Sequence, residues 1–296
     1  MTEKNIKKYK SDVNVMEKIK LKYYRLSKSQ KMIANYILNH YDKAAFMTAS
    51  ILGETVNVSE STVVRFANAL GYSGYPKLQK ALQELIKTKL TTVQRLEISN
   101  RQITQESIIE DVIKSDIDNI QAIINELDRE EFSKIAEVIN RARNIYIIGF
   151  RTSTILAEFL GFYLNLILDN VRVVRHGVSD IYEQLIHITK EDIIIGISFP
   201  RYSSKTTQIL KFVKEKDAKI IAITDSDLSP LIELSDYKLI ARSNMVSFVD
   251  SLVVPLSLMN ALIVSIGMGK REYITKKFED LESIWERYEI YTNKVE

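Results

Sequence analysis

Five short apolar runs, at residues 145–149, 171–174, 193–198, 220–224 and 237–241, alternate with helical spacing at 154–168, 180–188, 204–215 and near Leu231. Nearly continuous β-branched runs of this length read as strands buried on both faces, which need helices packed over each side. The second half is therefore expected to be an α/β unit with a parallel sheet flanked by helices. Upstream the period changes. Met32, Ile33, Tyr36, Ile37 and Tyr41 recur at helical spacing behind a capping Ser27. Thr48 can cap a short second helix, and Asn57 and Val58 make a turn. Ser59 is expected to cap a third helix that Gly71 closes, and Pro76 to stand at the first position of a fourth. The first 90 residues thus read as all-helical.

The expected organisation is a helical domain over 1–90, a linker and connecting helix over 91–124, the α/β domain over 125–270 and a C-terminal helix over 271–296. An apolar helix over 248–268 offers more hydrophobic faces than one sheet needs, which predicts a dimer contact. The chain has no Cys, which removes disulfides, thiolate zinc sites, iron–sulfur clusters and cysteine nucleophiles together. No signal-like segment and no membrane-length apolar run is read, so a soluble, cytoplasmic protein without metal or cofactor is expected.

Charge is unevenly divided. Residues 1–90 carry 16 Lys/Arg against 7 Asp/Glu, a balance of +9, and the remainder carries −6. A basic end on an acidic body suits a nucleic-acid-binding module. The segment from Thr48 to Gly71 fits that role as two short helices across a tight turn, a helix-turn-helix. Such a unit lays its second helix in the major groove of double-stranded DNA. Ser59, Glu60, Ser61, Thr62 and Arg65 occupy its first turns, while Lys77 and Lys80 open the next helix as candidate phosphate contacts. Ala49, Leu52, Val56, Val58, Val63, Phe66 and Leu70 are expected to pack the unit.

Two strand-to-helix junctions carry the chemistry of the second half. Gly149 permits a tight turn after the first strand, and Thr152 and Ser153 put hydroxyls at the positive end of a helix, where an anion is held well. After the third strand, Ser198, Ser203, Ser204 and Thr206 supply hydroxyls beside Arg201 and Lys205. Both junctions fall at the C-terminal ends of parallel strands, where open α/β sheets bind ligands. Whether Arg201 serves the ligand or pairs with Asp225 or Asp250 is left open by the residues alone.

The strings SKSQKMIANYIL and TASILGETVNVSESTVVRFANALGYSGYPKLQKAL resemble the N-terminal domain of the RpiR family of bacterial transcription regulators. The second half resembles the SIS (sugar isomerase) domain that follows it in that family, over about residues 125–265. On the family's first loop, Gly-x-Gly-x-Ser, Gly149 and Ser153 match and Arg151 replaces the second Gly. On the second, Ser-x-Ser-Gly-x-Thr, Ser198 matches, Ser203 stands at the Thr position, and Pro200 and Arg201 replace Ser and Gly. The segment Thr224-Asp225-Ser226…Ser229-Pro230 resembles the family's Thr…Ser-Pro-Leu stretch. The resemblance implies a dimeric DNA-binding regulator that senses a phosphorylated sugar or related anion, with a repressor as the expected sign. Gly149, Arg151, Ser153, Ser198, Arg201, Ser203, Ser204 and Thr206 are its implied effector residues.

The alternatives are a sugar-phosphate isomerase with an accessory helical domain, and a DNA-binding dimer whose SIS domain holds no ligand. An isomerase needs a general base, for which Glu183 and His187, four apart on one expected helix face, and His176 are the candidates. A fused DNA-binding domain and altered loops favour sensing, and no catalytic residue is expected.

Overall fold

The computed structural model describes residues 15–89, 91–102, 106–177, 179–242 and 249–291. Expectations that reach into residues 1–14, 90, 103–105, 178, 243–248 and 292–296 lie outside them. The chain divides into two compact units, with the division between Ile98 and Ser99.

The first unit contains α1 (Val15–Lys22), α2 (Lys28–Asn39), α3 (Tyr41–Ala44), α4 (Ala49–Thr55), α5 (Glu60–Leu70) and α6 (Tyr75–Lys89), with α7 (Thr92–Gln102) spanning the division. Ser27 caps α2 in a capping box: its Oγ accepts from the Gln30 N–H, and Gln30 Oε1 accepts from the Ser27 N–H. Thr48 caps α4 through the Ile51 N–H, and Gly71 ends α5 in the left-handed region at φ 95°. Ile33, Ile37, Leu52, Val63, Phe66, Leu70, Leu78 and Leu82 make the core. Met32 departs from the expected stripe: it is exposed, because Ala34 completes the buried face beside Ile33 and Ile37. Helix α6 begins at Tyr75, one residue before Pro76, with the Leu78 N–H returning to Gly74 O, and the Tyr75 phenol points inward and donates to Met47 O at 2.7 Å. Burial pushes that phenol up to about 12.

In the second unit, α8 (Ile108–Glu126) and α9 (Arg129–Arg141) precede β1 (Ile145–Gly149), α10 (Thr152–Ile167), β2 (Val171–Val173), α11 (Ile181–Gln184) and β3 (Ile193–Ile197). There follow α12 (Ser204–Lys214), β4 (Lys219–Thr224), β5 (Tyr237–Ile240), α13 (Val253–Met268) and α14 (Arg271–Arg287). The five strands form one parallel sheet in the order β2-β1-β3-β4-β5, with Gly149 opposite Ile197. Ile145, Ile147, Ile193, Ile195, Ile197, Ile221 and Ile223 face a layer that includes α9, α10 and α13. Tyr146, Ile148, Ile194, Ile220 and Ala222 face the opposite layer, built from α11 and α12. The three inner strands β1, β3 and β4 show the two-sided burial expected of the apolar runs, whereas the edge strands β2 and β5 are buried only in part, Arg172 of β2 being exposed.

Two helices expected from sequence are shorter than their spacing. The expected helix over 180–188 stops after Gln184, where Leu185, Ile186 and Ile188 donate to carbonyls only three residues back. Leu185 and Ile188 stay buried through these tighter turns, so apolar spacing is satisfied without a helix. The stretch near Leu231 is a single 3-10 turn, Ile232–Leu234.

At the N-terminal edge of the sheet, buried Asp192 ties β1 to β3. It accepts from Arg143 Nε at 2.9 Å and Nη2 at 2.6 Å, from Asn144 Nδ2 at 2.8 Å and from the Thr189 N–H at 2.8 Å. No single helix among the described residues is long and apolar enough to cross a membrane, and α13 and α14 bend by 103° at their junction.

Candidate functional site

The helix-turn-helix comprises α4, the turn through Asn57 and Val58, and α5. Asn57 takes φ 56°, a left-handed conformation that Asn tolerates, and the Val58 N–H returns to Gly53 O at 2.8 Å. A Cβ on Gly53 would lie 2.8 Å from Val58 O, so the turn closes tightly only over a glycine. Ala49, Leu52, Val56, Val63, Phe66 and Leu70 are buried as expected, and Val58 is half-buried.

Ser59 occupies the N-cap position of α5 but makes no capping bond. Its hydroxyl is taken by Ser61 Oγ at 3.0 Å and Thr62 Oγ1 at 2.9 Å, and Arg65 Nη2 donates to Thr62 Oγ1 at 3.3 Å. The local competition among hydroxyls outweighs the cap. The result is a linked row, Ser61–Ser59–Thr62–Arg65, on the outer side of α5, with Glu60 also exposed. Lys77 and Lys80 are exposed on the first turns of α6. Sequence reading missed Lys22, whose ammonium donates to Ala69 O at 2.9 Å and so caps the C-terminal end of α5.

In the second unit the chain leaves β1 toward β2 on one side and enters β3 on the other. The loops after β1 and β3 therefore flank the switch point of a doubly wound sheet, where the crevice opens. On the first loop, a Cβ on Gly149 would stand 2.4 Å from Ser153 O, so only glycine lets α10 start this close to the strand. Arg151 takes φ 58°, ψ −125° and is exposed; Ser153 is buried, and Thr154 Oγ1 donates to Gly149 O at 3.1 Å.

On the second loop the structure gathers Ser198, Ser203 and Thr206. Ser198 Oγ accepts from the Ser203 N–H at 3.2 Å, and Ser203 Oγ accepts from the Thr206 N–H at 3.4 Å. Thr206 is fully buried, and its own hydroxyl has no hydrogen-bond partner among the described residues. Arg201 lies at the exposed tip with φ 62°, and Ser204 is exposed beside it. Asp225, which sequence offered as a possible partner of Arg201, accepts from Tyr202 Oη at 2.7 Å. Thr224 Oγ1 donates to Ser198 O at 2.8 Å, tying the end of β4 to this loop.

A further cluster bridges the loops. Lys205 Nζ lies 3.0 Å from His176 Nε2 and 5.6 Å from the centre of the Phe150 ring, which itself stands 5.6 Å from the His176 ring. The three residues come from the loops after β1 and β2 and from α12. The isomerase candidates do not share a helix face. Glu183 Oε2 accepts from the Asp180 N–H in a capping box, and His187 is exposed beyond the end of α11.

A separate cleft of about 250 Å³ lies along the outer edge of β5, lined by residues including Glu126, Glu131, Asp227, Lys238 and Arg242. Its charges pair with one another: Arg242 with Glu126 at 2.6 Å and Lys238 with Asp227 at 2.7 Å. Glu131 accepts the Lys238 N–H, covering a backbone donor of the edge strand.

Comparison with known proteins bears on both units. A family model described as a helix-turn-helix domain of the rpiR family matches residues 13–89, and one described as a SIS domain matches residues 138–265. The chain is 29% identical over 230 residues to an HTH-type transcriptional regulator of Haemophilus influenzae, covering 77% of this chain and 79% of that protein. It is similar to the sugar isomerase domain of an RpiR transcription factor from Sphaerobacter thermophilus, with 26% identity and a TM-score of 0.57 over 60% of this chain and 99% of that one. It also shares the fold of the Vibrio vulnificus NanR protein complexed with ManNAc-6P, with 21% identity and a TM-score of 0.55 over 95% and 100% of the two chains.

Proposed function

We propose, from the premise that this chain belongs to the RpiR family of helix-turn-helix transcriptional regulators and carries a SIS domain, that it binds operator DNA and releases it in response to a phosphorylated sugar or related anion. One observation carries the effector half of this reading. Ser198, Ser203 and Thr206 bring three hydroxyls to the N-terminus of α12 at the sheet's switch point, where two of them are fixed by accepting the Ser203 and Thr206 N–H groups, and the buried Thr206 hydroxyl is unpaired among the described residues. Oriented neutral donors at a helix N-terminus are what a phosphate needs. The fold shared with a protein complexed with ManNAc-6P supports the same ligand class. Gly149, Arg151 and Ser153 line the neighbouring loop of the proposed site, with Arg201 and Ser204 at its rim. The proposed role is sensing and not catalysis, since Glu183 is spent on a helix cap and His176 on Lys205. The protein is proposed to act in the cytoplasm as a repressor.

Ser59, Glu60, Ser61, Thr62 and Arg65 are the proposed groove-facing set, with Lys77 and Lys80 on phosphates. Arg65→Ala is expected to weaken operator binding by about 1–3 kcal/mol while leaving the fold intact, because Arg65 is exposed and its bond to Thr62 is replaceable by water. Gel-shift titration with the DNA flanking its own gene tests this, and wild-type affinity in the variant removes Arg65 from the set. Addition of a sugar-phosphate panel to the same complex tests the effector half: a panel that leaves every wild-type complex intact rejects it.

One helix-turn-helix covers too little DNA for tight specific binding, so the active form is proposed to be a dimer presenting two copies about 34–36 Å apart or a multiple of it. The exposed Val264 and Met268 on α13 and the isoleucines Ile109, Ile113 and Ile117 on α8 supply apolar surface for it. Sedimentation at micromolar concentration should give twice the chain mass, and a monomer mass rejects the dimer.

A further inference from the structure

Arg151 is in an expensive position. Its φ of 58° with ψ of −125° is open to glycine, and other residues occupy such sparsely populated regions at about 1–3 kcal/mol. The surroundings impose that backbone, since Gly149 lies against Ser153 and α10 must begin at Thr152. Glycine would fit it without strain. The exposed arginine side chain makes no capping bond to α10, so burial and capping do not account for it. What arginine adds over glycine at this point is an exposed guanidinium on the loop after β1.

The neighbouring loop repeats the pattern. Arg201 stands at φ 62° on the turn after β3, and β1 and β3 are adjacent strands whose ends pair at Gly149 and Ile197. A third cation, Lys205 at the start of α12, lies over Phe150 of the β1 loop and is held by His176. The hydroxyls of Ser198, Ser203 and Thr206, held at the α12 N-terminus, already suffice in kind for one phosphate, as neutral oriented donors. Arg151 is a cation beyond that need.

Resting on the sugar-phosphate reading above, we infer that the effector carries two anionic groups and that Arg151 is the residue that selects for the second. The first group is the phosphate on the α12 N-terminus. The second, a carboxylate or another phosphate, sits toward the β1 loop, where a guanidinium can take it through two parallel N–H bonds.

Calorimetric titration of the full-length protein with glucose 6-phosphate, 6-phosphogluconate, fructose 1,6-bisphosphate and gluconate tests the inference. Wild type should bind one of the two doubly anionic phosphates about tenfold or more tighter than glucose 6-phosphate, the advantage one charge-assisted hydrogen bond supplies. Which of the two is preferred identifies the second group as carboxylate or phosphate. Arg151→Gly should erase that advantage, leave glucose 6-phosphate binding within about threefold of wild type, and keep or raise the thermal midpoint, because glycine relieves the backbone. Arg151→Lys should restore part of the advantage as a point charge. A preference that survives Arg151→Gly, a wild type that favours glucose 6-phosphate, or tighter binding of all phosphates in the glycine variant overturns the inference and leaves the sugar-phosphate reading standing. Failure of every phosphate to bind wild type overturns both.

Discussion

Asp192→Ala is expected to destabilise the α/β unit by about 3 kcal/mol, because removing one member of a buried charged network leaves its partners without an acceptor. Asp192 is fully buried and receives Arg143, Asn144 and the Thr189 N–H, whereas Arg143 is half-exposed and can recover water, which keeps the cost at the lower end. Burial alone raises this carboxyl, but the hydrogen bonds from Arg143, Asn144 and Thr189 overcome it and hold it at about 2, below its ordinary 3.8. A depressed carboxylate stabilises the fold above its unfolded value and loses that contribution as pH falls through the folded one. The wild type should therefore lose about 2 kcal/mol of stability between pH about 4 and about 2 from this group. Asp192→Asn should start lower and be flatter over the same window. Urea unfolding at a series of pH values measures both, and an alanine variant as stable as wild type, or an unchanged acid slope in the asparagine variant, removes Asp192 from this role.

Gly149→Val should lower the thermal midpoint and abolish the stabilisation that an effector gives. The first added carbon would lie 2.4 Å from Ser153 O and 2.8 Å from Ser153 C, both backbone atoms of the first turn of α10. Backbone cannot rotate aside as a flexible side chain does, so the helix start or the strand end has to move. Overpacking of this kind costs about 3 kcal/mol, which in a unit of this size is a fall of roughly 6–12 °C. The same displacement carries Arg151 and Ser153 away from the β3 loop. Differential scanning calorimetry with and without the best-binding sugar phosphate separates the two effects. A variant that retains both the midpoint and the ligand-induced rise shows that α10 can start elsewhere without cost.

The sequence by itself determined the features that depend on near neighbours along the chain. Strand positions followed from apolar runs, and Ser27, Thr48 and Gly71 marked helix ends, because a cap or a period is satisfied within a few residues. The helix-turn-helix was legible for the same reason, down to six of its seven expected packing residues being buried and the seventh half-buried. Even there Ser59 turned its hydroxyl to Ser61 and Thr62, a choice among three nearby oxygens that spacing does not rank. Only the tertiary structure decided which strands are neighbours. The order β2-β1-β3-β4-β5 sets the Gly149–Ser153 and Ser198–Thr206 loops side by side, though almost fifty residues separate them in sequence. Lys205 with His176 and Phe150, Tyr202 with Asp225, and Asp192 with Arg143 were invisible beforehand for the same cause. Their energies arise only after the sheet has brought distant segments within hydrogen-bonding reach, so no local pattern encodes them.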